Sequence, residues 1–238
     1  FDDTEGEQQA RELVRIYLEK FFSRSMVNNY LSAFDQYLQY YSQREEWGET
    51  DDRDSLANIR VQKICDEINI ELQGGDKILI VLELLEFIKN KDAYISDKEV
   101  EFVSRIAEKL NIDRHDYTNL RLFVLKKLES VPQYDTILVI NGIENFHHQN
   151  GYKHIYSEKL RGSVYVLHVK STSTFIFRYA GQRNMYLNGH KIETNRCYPL
   201  ASGSIIKTSR SRPVYYSHVA GKFIHAQIGR ASCRERVC

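Results

Sequence analysis

The chain has 238 residues, 42% of them hydrophobic and 27% charged, with 33 Lys+Arg against 32 Asp+Glu. That length allows one large or two small domains, and the composition is that of globular material, far from the disordered class. The near-zero balance conceals a division: residues 1–132 hold 27 Asp+Glu and 18 Lys+Arg, whereas residues 133–238 hold 5 and 15. Such asymmetry argues for two domains, docked through opposite fields. The basic residues of the second half stand singly along the chain rather than in clusters, which argues against nucleic acid.

In chain order, the first half reads as six helices. Thr4-Glu5-Gly6-Glu7 has capping-box spacing before a stripe of Leu13, Ile16, Tyr17 and Phe21. A second stripe runs through Val27, Leu31, Phe34, Leu38 and Tyr41, and a third through Leu56, Ile59, Ile64, Cys65 and Ile68, ended by Gln73-Gly74-Gly75-Asp76. The fourth helix, Lys77–Lys89, is apolar on nearly all sides, as befits the central member of a bundle. The apolar run Ile78–Ile88 within it carries Glu83 and Glu86 and is well short of the roughly twenty residues that cross a membrane. Ser96-Asp97-Lys98-Glu99 is a second capping box, opening a fifth helix with Val100, Val103, Ile106, Ala107 and Leu110. Asp113 caps a sixth helix that ends near Ser130, before Pro132. Short links favour antiparallel neighbours, hence an all-α bundle over 1–132.

After Pro132 the period changes. Thr136–Ile140, Ser163–Val169, Thr174–Tyr179, Met185–Leu187, His190–Ile192, Ser204–Lys207 and Val214–Tyr216 are short runs rich in β-branched and aromatic residues. Asn188-Gly189 is the strongest hairpin signal, because a two-residue type I′ turn needs positive φ twice. These runs predict a small antiparallel β-sandwich over 133–227, so the fold class is α+β and multidomain. The chain opens at Phe1 without an initiator methionine, and Ile228–Cys238 resembles a sequencing adapter read through in one frame. The expectation is a piece of a longer protein whose natural sequence stops near Gln227, with 228–238 unstructured. Cys233 and Cys238 fall in that tail. The remaining Cys65 and Cys197 form no C-x-x-C and suit a reducing, cytoplasmic compartment.

Two resemblances follow from particular stretches. Ile78–Leu110, an apolar helix, an Asp-centred turn and then a Glu-x-x-x-hydrophobic-x-x-Ile-Ala-x-x-Leu pattern, resembles the TerB-like bundle associated with tellurite resistance. Asn184–Ile192, Tyr198-Pro199-Leu200 and Gly203-Ser204-Ile205-Ile206 resemble the last strands of a forkhead-associated (FHA) domain, with Gly203-Ser204 in place of the usual Gly-Asp. The order of the two is similar to that in a bacterial family of long ABC-transporter ATP-binding proteins, where such modules precede the nucleotide-binding domain. FHA domains hold phosphothreonine through a Gly-Arg and a Ser-x-x-His in early loops. The candidates here, Arg161-Gly162 and Ser171–Ser173, stand in the wrong order and lack the histidine. The TerB resemblance implies metal binding through acidic residues, which points to Asp92, Asp97 and Glu99.

The residues themselves favour a plainer role for that acidic turn. Asp92–Glu99 fits the second half of an EF-hand loop, but positions one and three would be Ile88 and Asn90, and Ala93 sits where a glycine is required. Ser96 and Glu99 as a helix cap, with Asp97 facing the positive helix end, is the preferred reading. His147, His148 and His154 lie in a polar stretch without the three or four converging ligands that zinc needs. Gly203–Thr208 lacks the second glycine of a Walker A loop, and H-E-x-x-H and G-x-S-x-G are absent. No enzyme activity and no cofactor are therefore expected of this chain. The leading expectation is a non-catalytic adaptor region of a membrane-associated ABC-type transport ATPase, cytoplasmic and at the inner face of the membrane. It would bind protein partners, including a downstream ATPase domain, and neither nucleic acid nor the bilayer core. A stand-alone TerB-like metal-binding stress protein is the alternative, and a nucleic-acid-binding β module with a helical dimerisation domain is a third.

Overall fold

In the computed structural model the described residues are 28, 51–91, 95–132, 134–144, 146 and 151–224. Apart from Asn28, the first two expected helices lie outside them, as do Asp92, His147, His148 and the tail 228–238. The chain is α+β, with helices first and two sheets after them, and it divides between Ile112 and Asp113 into two compact units.

In the first unit the described helices are α1 (Asp51–Glu71), α2 (Gly74–Lys91) and α3 (Asp97–Lys109). Helix α2 buries Ile78, Val81, Leu82, Leu85 and Ile88, a stripe at helical spacing. Most of its other positions are half-buried, and Gly74 and Asn90 near its ends are exposed. Glu86 is the exception in that stripe, 1% exposed, and its carboxylate accepts from Lys89 Nζ at 3.0 Å. A buried carboxylate needs such a partner. Asn69 ties the three helices together: its Nδ2 donates to the Lys109 carbonyl at 2.8 Å and its Oδ1 accepts from Lys77 Nζ at 2.7 Å.

The second unit opens with α4 (Arg114–Leu125), capped by Asp113, whose carboxylate accepts from the backbone N–H of His115 and Asp116. Among the described residues nine strands follow: β1 (Ile137–Asn141), β2 (Lys153–Tyr156), β3 (Ser163–Val169), β4 (Thr174–Ala180), β5 (Met185–Leu187), β6 (His190–Ile192), β7 (Cys197–Pro199), β8 (Ile205–Thr208) and β9 (Val214–Tyr215). The first sheet has the order β2-β1-β3-β4-β7 and the second the order β6-β5-β8-β9. Residues 216–224 form a last helix, α5. One core takes side chains from both sheets: Leu138, Ile140, Val164, Val166, Phe175, Phe177 and Tyr179 from the first, with Met185, Ile192, Ile206 and Val214 from the second. Helix α5 adds Val219 and Phe223.

The sixth expected helix belongs with the sheets rather than with the preceding helices, and the reason lies in β1. All five of its residues are buried, so the first sheet is covered on both faces. Leu138 and Ile140 join the shared core. Register places Ile137 beside Leu167 and Ile176, and Val139 beside Tyr165 and Arg178, on the opposite face. Helix α4 covers that face. Arg178 lies 5.0 Å over the Phe123 ring of α4 and 5.8 Å over Tyr165, and its Nη2 donates to the Lys126 carbonyl. At the other end of α4 the buried Asp116 carboxylate accepts from the backbone N–H of Ser171 at 2.9 Å and of Lys170 at 3.3 Å.

Two further features differ from the sequence reading. The sheets are not wholly antiparallel, because β1 and β2 pair in parallel. Strands β2 and β7 carry no sequence signal, since Lys-His-Ile-Tyr and Cys-Tyr-Pro show too little alternation to register as strands. Both lie at the edges of their sheet, where one side of the ladder is unpaired and pattern is weakest.

Candidate interaction site

The second sheet carries the feature best suited to a partner. Its register is fixed by the Asn188-Gly189 turn, with φ of 52° and 88°, the pair of positive values that a type I′ hairpin requires. Asn188 also ties in β8: its Oδ1 accepts from the Ile205 N–H at 2.8 Å and its N–H donates to the Ile205 carbonyl at 2.9 Å. Met185, Ile192, Ile206 and Val214 then point into the core, so the alternate residues face outward.

That outward set is Lys191, Tyr186 and Lys207, opposed across three strands, and Ile205 opposite Tyr215. It contains no carboxylate. Lys191 and Lys207 are exposed and Tyr215 is 42% exposed, its ring edge-on to His218 at 5.3 Å. Cross-strand neighbours stand about 5 Å apart at Cβ, so two cations flank one aromatic ring within a short row. At one corner of the sheet lies a pocket of about 380 Å³, lined by Gln182, Arg183, Asn184, Lys191, Ile192, Glu193 and Thr194. The wider surroundings share the sign, since residues 113–224 hold 16 Lys+Arg against 7 Asp+Glu. A flat cationic face with aromatic and aliphatic contact area is equipped to hold an acidic protein surface.

The residues singled out from sequence take other roles. Ser96 is the N-cap of α3 and accepts from the Glu99 N–H, while the Glu99 carboxylate accepts from the Ser96 N–H at 2.9 Å and hydroxyl at 2.8 Å. Asp97 is exposed in the first turn, and Asp92 lies outside the described residues. Among the described residues no group of three or more His, Cys, Asp and Glu is placed to hold a metal ion. Gly162, with φ of 100°, shapes the turn into β3, and the Arg161 carbonyl beside it accepts from Tyr179 Oη at 2.7 Å. Ser171 is engaged by Asp116 through its backbone. His154 bonds Asn141 Oδ1 at 3.0 Å and stacks on Phe146 at 4.9 Å. Cys65 and Cys197 are buried free thiols, and burial pushes the Cys65 thiol up to about 11, which leaves it unreactive. The Lys191-Tyr186-Lys207 row was not found from sequence. Its members come from three strands of three or four residues, and only the register brings them together.

His168, half-buried, packs beside the core. Its ring stacks on Phe175 at 4.7 Å and meets Phe223 of α5 at 4.8 Å. Burial holds its pKa below the usual 6.5, helped by Lys170 and Lys153 and opposed by Asp116 and Asp135. The folded state therefore binds fewer protons than the unfolded chain just below pH 6.5, and stability falls as the pH drops from 6.5 through the folded value. Melting temperature followed from pH 8 downward is expected to decline over that window. The decline should be shallower in His168→Phe, which keeps the stack and removes the charge; equal slopes would show that His168 does not contribute.

Among the described residues no helix is long and apolar enough to cross a membrane. No protein-family model matches this chain, and neither a curated protein nor a solved structure matches it.

Proposed function

We propose that this chain is a non-catalytic adaptor region of an ABC-type transport ATPase, acting through protein–protein contacts at the inner face of the membrane. In this reading the first unit is a TerB-like helical bundle and the second an FHA-like sandwich kept for docking rather than for phosphothreonine. The observation that carries it is the carboxylate-free face of Lys191, Tyr186, Lys207, Ile205 and Tyr215. The core shared by the two sheets supports the sandwich, and the structural use of Gly162 and Ser171 argues against a phosphothreonine loop there. The metal-binding alternative is less well supported, because the Glu99 carboxylate is committed to the helix cap.

The test is steady-state ATP hydrolysis by the full-length parent, which carries its own copy of this region, with this chain added in trans. The wild-type chain is expected to change the rate, and Lys191→Glu/Lys207→Glu to lose that effect while keeping its circular dichroism spectrum. A rate indifferent to the wild-type chain would overturn the reading.

A further inference from the structure

We propose that the cationic outer face of the second sheet docks on the acidic helical unit of a second copy of this chain. The inference rests on the reading of that face as a docking surface and names what it meets. The adaptor would thereby bring two copies of its parent together.

Charge comes first. Residues 1–112 hold 24 Asp+Glu against 14 Lys+Arg, a balance of −10, whereas residues 113–224 balance at +9. Every copy therefore carries one body of each sign, and two copies present opposite fields to one another at any encounter. Local chemistry then matches. Near the C-terminal end of α1, Asp66, Glu67 and Glu71 are exposed around Ile70, the most exposed large hydrophobic of the described residues at 85%. Positions 66 and 70, 67 and 70, and 67 and 71 are helical neighbours, so the four side chains form one patch. Lys63 lies one turn away, and Lys109 Nζ of α3 donates to Gln62, which in turn donates to Asp66 Oδ1.

The partner face has the inverse arrangement, with apolar contact area from Ile205, Tyr215 and Tyr186 bordered by Lys191 and Lys207. Neither lysine side chain has an ion pair or a hydrogen bond within its own chain among the described residues. An acidic-rimmed apolar residue meeting a lysine-bordered aromatic row pairs both kinds of contact. Because the two patches differ, the contact is heterologous, and the pair keeps one free patch of each kind unless the pairing is reciprocal. The contact is small and charged, which places it among weak, salt-sensitive associations.

Sedimentation velocity of the full chain tests this, from low micromolar to several hundred micromolar, in low and in high salt. The sedimentation coefficient is expected to rise with concentration at low salt and to stop rising at high salt. Lys191→Glu/Lys207→Glu and Glu67→Lys/Glu71→Lys should each weaken association by about a hundredfold, since like charges then face each other. Mixing the two variants should restore a complex, because the unmutated acidic patch of one meets the unmutated lysine face of the other, and the reversed surfaces are complementary as well. Circular dichroism establishes that each variant is folded. A wild-type chain that stays monomeric throughout, or a mixture that fails to associate, overturns the proposal. If Lys191→Glu/Lys207→Glu still abolishes the effect on ATP hydrolysis in that event, the docking face stands and only the second copy is wrong.

Discussion

A chain that begins at Asp113 is expected to fold on its own, and one that begins at Gln133 is not. The second start discards α4, and with it Leu120 and Phe123, both fully buried. Each such side chain contributes about 1.5–3 kcal/mol of burial, against a total stability of roughly 5–15 kcal/mol for a domain. The loss on the sheet side is as large. Ile137, Val139, Leu167, Val169 and Ile176 are each at most 1% exposed, and without α4 much of that face is laid open to water. Asp116 also goes, leaving the Lys170 and Ser171 N–H groups without their acceptor. Urea denaturation followed by circular dichroism should give one cooperative transition for the longer chain and a broad, featureless slope for the shorter. A cooperative transition of equal midpoint in both would show that the helix is an ornament on the sheet.

This result turns on what the sequence could and could not convey. Helical periodicity and capping chemistry are local, so the fourth and fifth helices and the start of the sixth are legible within a few residues, and the Ser96/Glu99 box atom by atom; the sixth ends at Leu125, short of the expected Ser130, because the chain turns extended at Lys126. The hairpin at Asn188-Gly189 was equally local. Which body a helix joins is not local. Leu120, Leu122, Phe123 and Val124 read as bundle residues because they follow five helices, and nothing near them announces a sheet with two apolar faces. The signal lay elsewhere, in the unbroken Ile-Leu-Val-Ile of β1, which a sheet with one wet face would have interrupted with polar residues. The interaction face failed for the same reason at a smaller scale. Lys191 and Lys207 are sixteen positions apart in the chain and both oppose Tyr186, a relation that exists only once β5, β6 and β8 are in register.

The second large effect is expected at Gly162, where alanine should destabilise the β unit by about 3 kcal/mol or more. Its φ of 100° lies in the region that side chains avoid. A Cβ built there would stand 2.5 Å from the Ala180 carbonyl oxygen and 2.8 Å from the Gly181 Cα, both backbone atoms at the end of β4 that cannot swing aside. Backbone strain of about 1–3 kcal/mol and a steric term of similar size add at this position. Gly189→Ala is the control. Its φ of 88° is also positive, but nothing lies within 4 Å of the added atom, so only the conformational cost of about 1–2 kcal/mol applies. Thermal or urea denaturation of the two variants separates the steric contribution from the conformational one. The comparison also bears on function, because Gly162 follows Arg161, whose carbonyl holds the Tyr179 hydroxyl at 2.7 Å. A turn locked between β4 and a buried tyrosine is not free to close on a phosphothreonine. If Gly162→Ala cost no more than Gly189→Ala, that close approach would be wrong, and Arg161-Gly162 would return as a recognition loop.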